Sequence, residues 1–62
     1  MSNTLELMFR ATIERLVTER EGMVAANRNR EQRGESMVYD ETAFQYLAQE
    51  FTELYEKILN AT

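Results

Sequence analysis

In the second half of the chain, apolar residues fall at Phe44, Leu47, Phe51, Leu54 and Ile58, spaced three, four, three and four apart. That spacing is a coiled-coil seam, a stripe of one α-helix that faces a second surface along its length. Ala48, Tyr55 and Leu59 widen the stripe on one side. The first half carries a looser pattern of Phe9, Ile13, Leu16, Val17, Met23 and Val24, with helix-favouring Glu and Arg between them. The chain has no Pro, so nothing forbids two long helices.

Stop and start signals place the helices at about 4–33 and 40–59. Asn3, with Glu6 three residues later, has capping-box spacing. Gly34 suits the left-handed residue that ends a helix. Asp40 is a helix N-cap type, and Glu41 brings negative charge to the positive helix end. Tyr39 and Phe44 then occupy the two positions of a hydrophobic staple. Gly22 is the weak point of the first helix, and the alternative to a continuous helix is a bend there. The short connection favours antiparallel neighbours, so the fold class is all-α, with residues 1–62 forming a single helical-hairpin domain.

Helix lengths suggest self-association. A first helix of about 45 Å outruns a second of about 30 Å. If the two pair from the turn, residues 5–13 project beyond the hairpin, carrying Leu5, Leu7, Met8, Phe9 and Ile13. So much apolar surface calls for a cover, and a two-fold copy is the simplest one. The expected product is a homodimeric four-helix bundle. Its interface is expected to hold Leu5, Phe9, Ile13 and Leu16 of the first helix with Phe44, Leu47, Phe51, Leu54 and Ile58 of the second.

Composition supports this and narrows the chemistry. Chains of about 60 residues are marginal alone and lean on disulfides, metals or oligomerisation. With no Cys and no His, disulfides and the usual zinc ligands are excluded, and so are the commonest general base and the thiol nucleophile. Residues 1–34 carry six Arg against five Glu, whereas residues 35–62 carry one Lys against six acids. The net charge of −4 makes the chain a poor general ligand for nucleic acid or anionic membranes. No apolar run reaches the length of a membrane span, and no secretion signal is expected. Asn60, Ala61 and Thr62 match a glycosylation sequon, read here as chance.

Few groups remain for a site. Glu50, Glu53 and Glu56 stand one turn apart, but a di-metal site would add His to such acids, so a solvated acidic face is the simpler reading. Neither a catalytic residue nor a cofactor is expected. Arg28, Arg30 and Arg33 lie near the end of the first helix, where cations complement the helix dipole. They are also candidates for partner binding or nucleic-acid contact. Arg20 and Asn27 interrupt the apolar face, either to set register or, for Arg20, with its head reaching water over an apolar stem. Tyr46 lies off the seam and is a candidate outer contact beside Glu50 and Glu53.

Glu21, Gly22 and Met23, then Asn27, Arg30, Gly34, Glu35, Ser36, Tyr39, Glu41, Ala43 and Phe44, form a pattern over residues 21–44. It resembles a segment of small accessory proteins of lambda-like temperate phages, encoded in the early region between the recombination and excision genes. Members often carry Gly where this chain has Asp40, and both types suit a helix N-cap. The resemblance implies a dispensable, helical, self-associating early protein in the cytoplasm of a bacterial host. It implies influence on the lysis–lysogeny choice or on host physiology through binding a host or phage protein, with no catalytic residues to carry over. A nucleic-acid-associated regulator using the Arg face of the first helix is the alternative class, distinguished by salt-dependent retention on DNA.

Overall fold

The computed structural model describes residues 3–61. Two helices, α1 (Asn3–Gln32) and α2 (Glu41–Ala61), pack against each other as a hairpin. Both bounds fall within two residues of those expected. Helical structure in α1 passes through Gly22 without interruption. Asn3 is itself helical and not the residue ahead of the helix. Glu6 accepts a hydrogen bond from Arg10 Nη2 at 3.3 Å, one turn on.

The turn is built from local hydrogen bonds. Gly34 has φ 71°, the left-handed value expected of it. Its N–H donates to the Glu31 carbonyl at 3.0 Å, and the Glu35 N–H reaches back to the Arg30 carbonyl at 2.8 Å. Those two bonds make a Schellman motif, which satisfies carbonyls left open at the end of α1. At the start of α2, Asp40 Oδ1 accepts from the Ala43 N–H at 3.0 Å, the N-cap bond.

The two glycines therefore predict opposite outcomes. Gly34→Ala forces a Cβ into the left-handed region and is expected to cost about 1–2 kcal/mol. Gly22→Ala meets nothing within 4 Å and is expected to stabilise by about 0.5–1 kcal/mol through helix propensity. Paired urea titrations check both signs.

Asn27, expected to interrupt the apolar face, ties the connection to α1. Its Nδ2 donates to the Tyr39 carbonyl at 2.8 Å, and its Oδ1 accepts from the Tyr39 N–H at 2.9 Å. Tyr39 and Phe44 both pack on the core. This clamp changes the register from the one expected. The connection folds back along the end of α1, so Tyr39, two residues before α2, is level with Asn27, and α2 begins about two turns short of the helix end. Arg15 then meets Glu50, and Phe9 and Ile58 reach the same core. Residues 5–13 therefore do not project as an uncovered overhang. Leu5 and Phe9 are half-buried, while Leu7, Met8 and Ile13 are exposed because they point away from the contact.

The core is one side chain deep. Leu16, Met23, Leu47 and Leu54 are buried, two per helix and seven residues apart on each. Phe9, Tyr39, Ala43, Phe44, Phe51 and Ile58 pack around them, half-buried. Leu16, Leu47 and Leu54, expected in a shared interface, are thus enclosed by their own chain. The Cα trace measures 48 × 19 × 8 Å, a flat slab two helices wide.

Candidate interaction surface

A slab of two helices has two broad faces, and here they differ in chemistry. On one, Arg15 Nη2 of α1 lies 3.6 Å from Glu50 Oε2 of α2, while Arg15 Nη1 also holds Glu19 at 3.3 Å. A shallow cavity of about 120 Å³ opens beside this bridge, lined by Thr12, Arg15, Glu50, Glu53 and Lys57 over Leu16 and Leu54. Arg15, Glu50, Glu53 and Lys57 are charged and exposed, and exposed pairs of this kind contribute under about 1 kcal/mol each.

The opposite face is apolar. Its cavity, also about 120 Å³, is lined by Arg20 of α1 with Phe44, Leu47, Ala48 and Phe51 of α2. The Arg20 guanidinium sits 6.0 Å from the centre of the Phe51 ring, at the outer reach of a cation–π contact. Helical periodicity carries the face in both directions. On α1, Ile13, Val17, Arg20 and Val24 follow spacings of four, three and four. On α2, Phe44, Ala48, Phe51, Tyr55 and Leu59 follow four, three, four and four. Each helix therefore carries two stripes, one closing the hairpin and one beside it. Ile13 and Val24 are exposed, as are Tyr55 at 61% and Leu59 at 54%.

Sequence reasoning merged the two stripes of α1 into one loose pattern. The signal that separates them is the seven-residue step from Leu16 to Met23, set against the four–three–four run through Arg20. Arg20 is thus a seam residue of the second stripe, with its guanidinium over the Phe51 ring.

The arginines do not form a common patch. Arg30 and Arg33 both bind Glu35 of the connection, at 3.5 and 2.9 Å. Arg28, two residues before Arg30, points to nearly the opposite side of the helix, at about 100° per residue. The acid that holds Arg30 and Arg33 is thus in the connection and not in α2. By the same periodicity Arg10, Arg15, Arg20, Arg28 and Arg30 are distributed around α1, so no single Arg face is presented. Tyr46 is 67% exposed on the outer side of α2. Its neighbours are engaged locally, Glu50 with Arg15 and Glu53 with Gln49 at 3.5 Å.

Among the described residues, no three acidic side chains converge as metal ligands. Also among them, no helix is long and apolar enough to cross a membrane. No family model matches the chain, and neither does any curated protein or solved structure.

Proposed function

We propose that this chain is a non-enzymatic protein-interaction module, a helical hairpin that pairs with a second copy into a four-helix bundle and then engages another protein. The observation that carries the reading is the surface left over by the fold. The chain exposes 5046 Å², whereas a compact monomer of its 7.3 kDa exposes about 4,200 Å². The excess is close to the roughly 800 Å² that each partner buries in a standard interface. The resemblance of residues 21–44 supports a setting in the early region of a temperate phage. There such a module acts in the host cytoplasm on a host or phage protein, and so on the lysis–lysogeny choice or host physiology.

The outward contact falls on groups that dimerisation leaves free. Tyr46, with Glu50 and Glu53 beside it, offers an exposed aromatic with a charged rim, and aromatic anchors carry more binding energy than rim charges. Arg30 and Arg33, both held by Glu35 at the turn, supply the second candidate contact, with Arg28 on the other side of α1. In affinity capture from infected cells, Tyr46→Ala is expected to lower the captured partner about tenfold or more. Arg30→Ala is expected to lower it less, because Arg30 is already engaged by Glu35. Helicity and oligomer mass should not change in either variant. Wild-type capture by both variants would remove this surface from consideration. Tight binding to duplex DNA at physiological salt, with no protein captured, would replace the reading with a regulator on DNA.

A further inference from the structure

Resting on the dimeric reading above, we infer that the second copy seats on the face holding Arg20, Phe44, Ala48 and Phe51, with α1 of each copy on α2 of the other and both turns at the same end. The first ground is chemical asymmetry. One broad face is lined by Thr12, Arg15, Glu50, Glu53 and Lys57, and the other by Arg20, Phe44, Leu47, Ala48 and Phe51. Covering the first would desolvate several charges, which is costly, whereas covering the second removes mostly apolar surface from water.

The second ground is the four–three–four spacing on both helices. A second seam beside the intramolecular one is what a helix in a four-helix bundle needs, since each helix there touches two neighbours. The excess accessible surface matches one interface of this kind.

The third ground is charge, and it sets the orientation. Two flat hairpins laid face to face admit two two-fold arrangements. An axis across the helices stacks α2 on α2 and α1 on α1, with the turns at opposite ends. An axis along the helices stacks α1 on α2, with the turns together. In α2, four Glu against one Lys give −3, while in α1 five Glu against five Arg give zero. The first arrangement opposes −3 with −3 and brings Arg20 against its own copy. The second opposes −3 with zero and lays Arg20 over the apolar stripe of the second copy's α2, away from its own copy. Like charges opposed across an interface are disfavoured, so the axis along the helices is selected.

The test uses two charge insertions and one label. Ala48→Lys places an ammonium on the proposed face, at an exposed helical site beside Arg20, and Thr18→Lys places one on the outer edge of α1. Sedimentation at low micromolar concentration is expected to give twice the chain mass for wild type and Thr18→Lys, and the chain mass for Ala48→Lys. The dimer dissociation constant should rise about a hundredfold or more in Ala48→Lys, with circular dichroism confirming that the variant is helical. The chain has no Cys, so Ser36→Cys carries a single spin label at the turn. In the dimer the label-to-label distance should be well under half the 48 Å length of the hairpin. A distance near that full length would overturn the orientation. A dimeric Ala48→Lys would overturn the face while leaving the dimer standing. A helical wild-type monomer would overturn the dimeric reading itself and leave the apolar face to a different protein.

Discussion

Leu16→Ala is expected to destabilise the chain by about 2–5 kcal/mol, the cost of truncating a fully buried leucine. Leu16 is the most enclosed side chain of the hairpin, at 1% exposure. Among the described residues, three other buried side chains share its core, Met23, Leu47 and Leu54. A slab one side chain deep has little material to collapse into the space, so the upper part of that range applies. Chains of this size hold about 3–9 kcal/mol of stability in total, and the variant should therefore be largely unfolded at room temperature. Leu7→Ala, which removes the same atoms from an exposed position of the same helix, should stay within about 0.5 kcal/mol of wild type. Urea titration followed by circular dichroism separates the two. A Leu16→Ala midpoint equal to that of wild type would mean that the core lies elsewhere.

The hairpin itself was legible because its signals are local. A coiled-coil stripe, Gly34 and Asp40 each depend on a few neighbouring residues, and each resolves as expected: two helices, a left-handed glycine at φ 71°, an N-cap bond at 3.0 Å. Register was not legible. It depends on Asn27 meeting Tyr39 across twelve residues, and nothing in the spacing of apolar residues reports such a contact. Assuming that α2 starts level with the end of α1 left residues 5–13 uncovered. The actual offset of about two turns brings Ile58 up to the core that Phe9 shares.

The candidate surface was legible in part for a related reason. The wide stripe of α2 already held both of its seams, so Ala48, Tyr55 and Leu59 stood out beside Phe51. On α1 the second seam is interrupted by Arg20, and a charged residue in an apolar run reads as an interruption until the hairpin places it above Phe51. The Arg28, Arg30 and Arg33 group divides instead. Closeness in sequence suggested a patch, whereas two residues along a helix turn a side chain about 200°.

Asn27→Asp is expected to destabilise the hairpin about as much as Asn27→Ala, by about 1–3 kcal/mol. The two native bonds are reciprocal, one accepted and one donated, at 2.9 and 2.8 Å. Alanine removes both and leaves the Tyr39 N–H and carbonyl without their partner. An ionised aspartate keeps the bond from the Tyr39 N–H, but it is acceptor-only and cannot donate to the Tyr39 carbonyl. Two oxygens would then face each other at hydrogen-bonding distance. Their repulsion raises the carboxyl pKa in the folded state above its unfolded value of about 3.9. A raised folded pKa means that protonation favours the fold, so the penalty is full at neutral pH and shrinks as pH falls through that raised value. The stability gap between wild type and Asn27→Asp should therefore narrow on acidification, while the gap for Asn27→Ala stays constant. Amide exchange at Tyr39 should accelerate in both variants at neutral pH, ahead of exchange in the middle of α1. A pH-independent Asn27→Asp gap, or Tyr39 exchange unchanged from wild type, would show that this side chain does not hold the turn in solution.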